Sequence, residues 1–589
     1  MSEVITQHLD VWTSAFASKA SAGRGSSDKQ TSYGVKKLRE FILELAVRGK
    51  LVPQDPNDEP ASILLSKIST ELKIANPNRK TKKISEVTQN SDYEKPFALP
   101  TGWAWVSLEA IGNIFNGNSV NSSIKQSKYT NLDSGLPFIA TKDVGYGWDK
   151  LDYGNGVLIP LNETGFRVAH KNAVLICAEG GSAGKKCGIT QQDICFGNKL
   201  FAIELYGEIE PNYILANYLT PTFFQQFTEK MTGIIGGISS TSFSQLTIPL
   251  PPLAEQHRIV AKVDELMALC DQLEQQQTDH LAAHQTLVQT LLDTLTQAAD
   301  AAEFEQAWSR IADQFDTLFT TESSIDQLKQ TLLQLAVMGK LVPQDPHDEP
   351  ASILLEKVTE EKNRLIKENR LKKDKPLPAL TEDEMIFPAP NGWIWIKFGV
   401  IAEFINGDRS KNYPNRSEYV DTGVAWINTG HIEPNGRLTT HEMNFITREK
   451  FNSLNSGKIQ KGDIVYCLRG ATFGKTAFVE PYEEGAIASS LMIIRPFIVA
   501  LNKYIFQYLI SPFGRAQLFR FDNGSAQPNL SAGNVMLYAF PLPPLAEQHR
   551  IVAKVDELMA LCDALKARIA AAQSTQLQLA DAIVEQAVA

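Results

Sequence analysis

Apolar residues recur at helical spacing in segments that occur twice along the chain. They fall three and four positions apart in VKKLREFILEL (35–45), and the same spacing returns over residues 325–335. Such spacing places the apolar side chains on one face of an amphipathic helix. We therefore predict one helix in each segment.

A second helical segment is present in two identical copies. PLPPLAEQHRIVAKVDELMALCD occupies residues 249–271 and again 541–563. Pro252 and Pro544 suit a helix start, where a missing N–H is tolerated. No Pro or Gly interrupts residues 253–298, so this helix could reach on the order of 65 Å. The apolar seam predicted for the two copies consists of Val263, Leu266, Cys270, Leu273, Val555, Leu558, Cys562 and Leu565.

Three polar residues interrupt the seam of the first long helix. Gln277, His280 and His284 fall at positions where apolar residues are expected. Polar residues at such positions commonly fix helix register. We favour register control or fraying over metal binding for these residues.

Further repeats show that one unit of roughly 290 residues occurs twice. Residues 43–68 return as 333–358, and residues 100–117 return as 390–407, both at an offset of 290. A unit of this length is not a solenoid repeat of 20–50 residues. Plain duplication followed by recombination is one explanation. We favour selection that keeps the edges alike while the intervening segments diverge.

The intervening segments, 118–248 and 408–540, share only short echoes. Both contain short apolar runs such as NAVLICAE and GDIVYCL, bounded by Gly, Asn and Asp, which predict many short strands. The predicted fold class is α+β, with two globular domains separated by long antiparallel coiled-coil helices and a pseudo-twofold repeat. The predicted segments are 1–99 (helical repeat and linker), 100–248 (first variable domain), 249–340 (central helices), 341–389 (linker), 390–540 (second variable domain) and 541–589 (C-terminal helices).

Composition describes an ordinary globular chain. Its 589 residues are 43% hydrophobic and 21% charged, and no run approaches 18 apolar residues. MSEVITQHLD lacks the apolar region of a signal peptide. The six cysteines contain no C-x-x-C pair, which favours reduced thiols over disulfides or a zinc site. These features predict a cytoplasmic protein.

The net charge of −10 conceals a division along the chain. Segment 118–248 carries −1 and segment 408–540 carries +3, so the remaining residues carry −12. The acidic excess therefore belongs to the helical segments, and the variable segments are relatively basic. This distribution removes the objection that total charge raises against a nucleic-acid partner.

Catalytic motifs are not found in the sequence. RGATFGKT (469–476) has three residues between its glycines where a phosphate-binding loop needs four, and GGSAGKK (180–186) also fails. Scattered carboxylates leave a nuclease site open as an alternative. We predict neither a catalytic residue nor a metal ligand.

Two glycine-containing stretches correspond between the variable segments. CAEGGSAGK (177–185) aligns with CLRGATFGK (467–475), which retains the cysteine, two glycines and Lys185 as Lys475. The lysines could meet phosphates. Glu179 and Arg469 differ, and a carboxylate can accept from cytosine N4 while an arginine can contact guanine O6 and N7. A plain turn with solvated side chains explains any single residue equally well.

The arrangement resembles the specificity subunit of type I restriction-modification enzymes, and the repeat containing GKLVPQDP resembles their B family. The resemblance covers nearly the whole chain. It implies two target recognition domains, with 118–248 recognising the 5′ half and 408–540 the 3′ half of a split duplex DNA sequence. It also implies that the helices set the gap and dock two methyltransferase subunits, that motor-nuclease subunits join, and that S-adenosylmethionine, ATP and Mg²⁺ belong to those partners.

We predict DNA contacts in the glycine stretches, in the residues before the long helices that follow Pro252 and Pro544, and at basic residues of each domain. These candidates are Lys142, Glu179, Ser182, Lys185, Lys186, Ser239, Ser240, Thr241, Arg409, Lys411, Arg416, Arg469, Thr472, Lys475, Gln527 and Asn529. The predicted docking residues are Leu253, Glu255, Gln256, His257, Arg258, Leu545, Glu547, Gln548, His549 and Arg550. The alternative function is a coiled-coil adaptor that binds two identical partners without DNA recognition.

Overall fold

The computed structural model describes residues 5, 7–18, 30–75, 96–130, 132–233, 236–373, 375–470, 472–521 and 530–588. The chain forms two compact units. Unit 1 contains the described residues up to 280 together with 573–588, and unit 2 contains the described residues of 281–572. Each unit therefore combines one variable segment with repeated helices.

Unit 1 contains twelve strands and eight helices among its described residues, followed by the start of a long helix. Its helices are α1 (Leu9–Ser14), α2 (Tyr33–Val47), α3 (Ala61–Ala75), α4 (Leu108–Ile111), α5 (Ser122–Lys128), α6 (Pro211–Tyr218), α7 (Pro221–Glu229), α8 (Ser240–Ser244) and the long helix α9 (Leu253–Gln297). Its strands are β1 (Phe16–Ser18), β2 (Gln30–Ser32), β3 (Ala104–Ser107), β4 (Gly112–Asn116), β5 (Leu136–Ile139), β6 (Leu158–Ile159), β7 (Val168–Ala169), β8 (Val174–Cys177), β9 (Cys187–Ile189), β10 (Ile194–Phe196), β11 (Leu200–Leu205) and β12 (Thr247–Leu250).

Unit 2 contains ten strands and nine helices among its described residues, and its first two helices precede the helix that corresponds to α2. Its helices are α10 (Ala301–Asp313), α11 (Phe315–Leu318), α12 (Glu322–Val337), α13 (Ala351–Lys367), α14 (Arg448–Ser453), α15 (Asn502–Ile510), α16 (Pro512–Arg520), α17 (Ala532–Met536) and the long helix α18 (Leu545–Val588). Its strands are β13 (Ile394–Lys397), β14 (Ala402–Asn406), β15 (Tyr419–Val420), β16 (Val424–Ile427), β17 (Asn444–Ile446), β18 (Ile464–Cys467), β19 (Thr476–Phe478), β20 (Gly485–Ile487), β21 (Leu491–Pro496) and β22 (Ala539–Leu542).

The two variable segments share one main sheet although their sequences have diverged. An antiparallel four-stranded sheet has the order β4-β11-β8-β9 in unit 1 and β14-β21-β18-β19 in unit 2. A second four-stranded sheet contains one parallel pair in each unit, β5 with β10 and β16 with β20. Its outer strands differ, because the order is β6-β5-β10-β7 in one unit and β15-β17-β16-β20 in the other. The loops that join β8 to β9 and β18 to β19 therefore start from the same sheet in both units. The strands of the second sheet differ between the units.

A two-stranded sheet joins the beginning and end of each variable segment. Ala104 pairs with Leu250 in unit 1, and Ile394 pairs with Leu542 in unit 2. Two prolines follow each closing strand, and the long helix begins at the next residue. The pairing therefore anchors each variable domain at the start of a long helix.

The helices predicted from periodicity are confirmed. Val35, Leu38, Ile42 and Leu45 are fully buried along one side of α2. The long helix α9 extends from Leu253 over 45 residues, which corresponds to about 65–70 Å at 1.5 Å per residue. Its apolar seam is packed inside the units as the spacing predicts.

Each long helix contributes to both units. The last part of α18 belongs to unit 1, where Ala580 and Ile583 join the hydrophobic core. Tyr33 Oη donates to Asp581 Oδ1 at 2.8 Å. The last part of α9 belongs to unit 2, where Val288 joins a helical core. The core of unit 1 is therefore complete only with residues from the far end of the chain.

The predicted α+β fold class is confirmed by the two sheet-rich domains and the long helices. The antiparallel pairing of those helices stays a prediction. Two of the three interrupting residues make contacts within their own units, since Gln277 Nε2 donates to Thr13 O and His284 Nε2 lies 3.2 Å from Thr317 O. Among the helices of the described ranges, none has the length and apolar character needed to cross a membrane.

Candidate nucleic-acid interface

Glycine loop 1, residues 177–186, joins β8 to β9 in unit 1. Cys177 N donates to Lys186 O at 2.8 Å, and Gly184 N donates to Cys177 O at 2.8 Å. Gly180 and Gly184 have φ values of +90° and +70°, which glycine adopts without the steric penalty of a Cβ. The backbone of the loop is therefore fixed by its own hydrogen bonds, with Ala178 and Ala183 buried and Lys185 exposed.

Glycine loop 2, residues 467–475 apart from 471, joins β18 to β19 in unit 2. Cys467 N donates to Lys475 O at 2.8 Å, and Gly474 N donates to Cys467 O at 2.9 Å. The two loops thus have the same hydrogen-bonded base. The loop connects antiparallel strands and opens no helix, which agrees with the exclusion of a nucleotide-binding loop.

The structure adds one residue to the correspondence between the two loops. Cys177 bonds to Lys186, whereas Cys467 bonds to Lys475. Loop 1 therefore contains one additional residue at its end. Lys475 matches Lys186 in its bond to the cysteine, and it matches Lys185 in its backbone bond, because Lys185 N donates to Ser182 O at 3.0 Å and Lys475 N donates to Thr472 O at 3.1 Å. Lys186 Nζ donates to Thr141 O at 3.1 Å, and Lys475 Nζ donates to Ile432 O at 3.4 Å. Each lysine thereby contacts the turn that follows β5 or β16.

Different charges stand at corresponding positions of the two loops. Glu179 is half-buried, and its Oε1 lies 3.8 Å from Lys199 Nζ. Arg469 is half-buried, and its Nε has no hydrogen-bond partner among the described residues. A buried donor without an acceptor costs about 1–3 kcal/mol. An incoming acceptor at Arg469 would remove that penalty.

Several predicted side chains of unit 1 lie around loop 1. Lys142 is exposed next to Thr141, the residue that binds Lys186. Ser182 Oγ lies 3.4 Å from the hydroxyl of Tyr146. Lys185 is exposed, with its Nζ 6.0 Å from the ring centre of Phe224. The structure thus places the loop beside the basic turn after β5.

The residues that precede the last strand and the long helix of each domain also lie beside the glycine loops. Ile238 N donates to Ala178 O at 3.0 Å, and Leu530 N donates to Leu468 O at 3.0 Å. Ser239 Oγ accepts from Ser242 N and caps α8. The neighbouring Ser240 and Thr241 are exposed, Thr472 is half-buried with its Oγ1 3.7 Å from Cys467 Sγ, and Gln527 and Asn529 lie outside the described residues.

The remaining basic candidates of unit 2 lie on a loop after β14. Asp408 is buried, and its carboxylate accepts from Ser410 N at 2.6 Å and from Asn455 N at 2.5 Å. These bonds fix a loop whose cations are exposed. Its cations are Arg409, Lys411 and Arg416. No hydrogen bond or ion pair between described residues joins this loop to glycine loop 2.

A buried polar network, which we call the latch, connects the repeated segments of each unit. In unit 1, Glu255 accepts from Gln54 Nε2 at 3.0 Å and from Trp103 Nε1 at 2.9 Å. Arg258 donates twice to Asp58, at 3.2 and 2.6 Å. The latch of unit 2 has the same distances and consists of Gln344, Asp348, Trp393, Glu547 and Arg550.

The latch corrects the predicted docking surface. Glu255, Gln256, Glu547 and Gln548 are at most 1% exposed, so their side chains cannot contact a partner. Gln256 Nε2 donates to Pro251 O at 3.0 Å and holds the closing strand to the helix. Arg258 and Arg550 are occupied by aspartates of their own units. Leu253 and Leu545 are half-buried, while His257 and His549 are exposed.

The identical helices also have an exposed face that packing inside the units does not explain. Five identical positions spaced three or four residues apart lie within an arc of about 80° at 100° per residue. This face, which we call the docking face after the role proposed below, comprises Ala254, His257, Ala261, Glu265 and Ala268 in α9 and Ala546, His549, Ala553, Glu557 and Ala560 in α18. Of these positions, the docking residues predicted from the sequence include His257 and His549.

Side chains that could hold a metal do not gather in the described part of the chain. It contains no cluster of three or more His, Cys, Asp or Glu residues suited to an ion. The six cysteines are buried and free of disulfides. Burial raises the pKa of Cys187 to about 12 and that of Cys270 to about 11, which keeps these thiols protonated and unreactive at neutral pH.

Known proteins match this arrangement over the whole chain. Residues 100–283 and 390–572 match the type I restriction modification DNA specificity domain. The chain is 38% identical to the specificity subunits of the type I restriction enzymes EcoAI and EcoEI from Escherichia coli, over 100% of this chain and 99% of each relative. A solved chain titled as the structural basis of assembly and conformational transition of the type I R-M system covers 84% of this chain and 99% of its own, at 17% identity and a TM-score of 0.50.

These similarities confirm the family that the repeats indicated, and at 38% identity the chain is a relative of the EcoAI subunit with a sequence of its own. The adaptor without DNA recognition is not favoured, because the relatives are specificity subunits and the matching domain is a DNA specificity domain. The low-identity structure supports the fold. The chain belongs to the DNA sequence-specificity subunits of type I restriction-modification systems.

Proposed function

We propose that each unit recognises one half of a bipartite duplex DNA target through its glycine loop. Segment 118–248 would recognise the 5′ half and segment 408–540 the 3′ half. One observation carries this proposal: two loops with the same backbone hydrogen bonds present Glu179 in one unit and Arg469 in the other. The same loop backbone with different side chains suits two domains that recognise different base pairs.

Arg469 has the chemistry of a base-reading residue. Its buried Nε lacks an acceptor among the described residues, and guanine offers O6 and N7 as acceptors in the major groove. Lys185, which is exposed, and the half-buried Lys186 and Lys475 would contact phosphates. Phosphate contacts position a protein on DNA, whereas base contacts specify the sequence.

The docking face supports the binding of two copies of one partner. The face is identical in α9 and α18 and exposed in both, and two equivalent surfaces on one chain suit two copies of one methyltransferase subunit. Methylation and ATP-dependent cleavage would then reside on the methyltransferase and motor-nuclease subunits, which would hold S-adenosylmethionine, ATP and Mg²⁺. Such a complex would act on DNA in the cytoplasm.

The proposed recognition is tested by selecting DNA with the complex of this chain and its methyltransferase subunit. A random duplex library is passed over the complex, and the retained molecules are sequenced. We expect two short, unlike sequences separated by one fixed gap. Replacing 118–248 with the corresponding segment of a relative should change one half only. Retention without sequence enrichment, or a change in both halves, would contradict the proposal.

Docking is tested by placing a bulky charge on each face separately. We expect Ala261→Arg and Ala553→Arg each to reduce the methyltransferase from two copies to one per chain, and the double variant to bind none. Native mass spectrometry of the co-purified complex counts the copies. Gln276→Arg is the matched control, because Gln276 is exposed on α9 and Arg568 occupies the corresponding position of α18. Two copies bound to either single variant would exclude this face.

A further inference from the structure

Exposed aromatic side chains are concentrated at the two glycine loops. In the described part of the chain, the aromatic residues among the exposed large hydrophobic side chains are Tyr146, Trp308 and Phe519, at 62%, 40% and 67% exposure. Single exposed apolar residues are ordinary on protein surfaces. Their exposure alone therefore does not indicate a binding role, and their positions must be considered. Trp308 lies on helix α10, whereas the other two each contact a glycine loop.

Tyr146 is held against glycine loop 1. Its hydroxyl lies 3.4 Å from Ser182 Oγ, and Lys186 Nζ lies 5.0 Å from the centre of its ring. A cation over an aromatic ring is attracted to the ring face. Gly145 and Gly147 flank the tyrosine, and nothing lies within 4 Å of the position that a Cβ on Gly147 would occupy. The ring thus contacts the loop and remains mostly exposed.

Phe519 lies beside glycine loop 2. Its ring centre lies 6.3 Å from that of Phe473 in the loop, with the planes inclined by 71°. The preceding Leu518 is buried against Gly474, whose Cβ position lies 2.8 Å from Leu518 Cδ1. The end of α16 therefore packs its leucine beneath the loop and leaves the phenylalanine outside.

The two aromatic residues come from different elements. Tyr146 follows β5, whereas Phe519 belongs to α16, and the counterpart helix α7 ends at Glu229. A residue needed for folding would recur at one place in both units, as the latch does. Residues that come from different elements but lie beside corresponding loops instead fit a surface that recognises a different sequence in each unit.

We propose that Tyr146 and Phe519 are specificity-determining residues that make apolar contacts with base edges of duplex DNA, each in the half-site of its own unit. The thymine C5-methyl is the apolar group that base pairs present in the major groove. The neighbouring Lys186 and Arg469 supply the polar contacts to the same stretch of DNA. This inference rests on the proposed recognition by the glycine loops.

The test repeats the library selection with the full chain bound to its methyltransferase subunit. We expect Tyr146→Ala to relax the preference at one or two positions of the 5′ half by about tenfold and to leave the 3′ half unchanged. Phe519→Ala should do the converse. Uracil in place of thymine at the affected position removes the methyl group, so it should weaken wild-type binding by a similar factor and the alanine variant no further.

Control variants separate the ring from other effects. Trp308→Ala should change neither half, and Tyr146→Phe should retain the preference because the ring remains. Unchanged sequences with both alanine variants, equal weakening on all sequences, or loss with Tyr146→Phe would overturn the inference. If the wild-type complex enriches no sequence, the proposed function itself fails. If the wild type enriches two half-sites that the alanine variants keep, only the role of the aromatic residues fails.

Discussion

Replacing the buried glutamate of each latch by glutamine isolates a single polar contact in a duplicated network. Glu255 and Glu547 accept from one glutamine and one tryptophan each, at 3.0 and 2.9 Å in both units. Both glutamates are 1% exposed. Glu255→Gln and Glu547→Gln keep the size and shape of the side chain, so the loss reports on hydrogen bonding and charge alone.

The expected magnitude follows from counting donors and acceptors. A glutamine amide offers one acceptor oxygen where the carboxyl group offers two. In unit 1, the new amide can direct its oxygen to Gln54 or to Trp103 but not to both. The other donor then faces the amide NH₂ group and has no acceptor. A buried donor left unpaired costs about 1–3 kcal/mol. We therefore expect each variant to lower the free energy of unfolding of its unit by about 2 kcal/mol.

The pH dependence of this loss has a defined sign. Burial raises the pKa of Glu255 and of Glu547, against the lowering effect of their hydrogen bonds. A carboxyl group with a raised folded-state pKa stabilises the fold most below its unfolded pKa, and loses that contribution as the pH rises through the folded value. The difference between wild type and variant should therefore be largest near pH 4 and smaller at neutral pH.

Scanning calorimetry of the chain with its methyltransferase subunit measures the effect. A loss of about 2 kcal/mol corresponds to a melting temperature lower by about 4–8 °C. Because the two latches have matching distances, the two variants serve as controls for each other and should lose similar amounts. A loss below about 0.5 kcal/mol, or a stabilisation, would contradict this prediction, because relief of carboxylate burial would then outweigh the lost acceptor.

Two further predictions concern unit 2. Burial lowers the pKa of His431, whose Nδ1 accepts from Asn428 N at 3.1 Å, so acidification below the ordinary histidine range should destabilise the unit. The urea unfolding midpoint, measured between pH 5 and 8, should depend less on pH in His431→Gln than in the wild type. The same pH dependence in both proteins would contradict this prediction. Gly470→Ala should cost about 1–2 kcal/mol for its left-handed backbone, whereas Gly474→Ala should cost more in the same unfolding assay because Leu518 must also move; equal losses would show that Leu518 yields freely.

The helical part of the fold could be predicted because its signals are local. The seam spacing and the prolines before Leu253 and Leu545 fixed the helices and their starts. The roles of single residues in the identical segments 249–271 and 541–563 were predicted less accurately. Glu255 and Gln256 were assigned to docking, yet they bond within the unit. The signal for a buried network was present, because its glutamine, aspartate and tryptophan partners repeat at the same offset as the helix itself.

The variable domains were predicted only as collections of short strands. Strand order depends on pairing between distant segments, and the side-chain preferences of single strands do not specify it. The shared order β4-β11-β8-β9 and β14-β21-β18-β19 therefore became visible only in the structure. The extra residue in loop 1 was missed for the same reason, because the cross-strand bonds of Cys177 and Cys467 set that correspondence.

The assignment of residues 573–588 to unit 1 has a consequence for synthesis of the chain. Ala580 and Ile583 are buried in the core that contains Leu38 and Phe41. Domains generally fold in order as they emerge from the ribosome, but unit 1 lacks part of its core until residues 573–588 have been made. The unit translated first is therefore completed last, and a stop codon that removes only these residues would damage the domain at the opposite end of the gene.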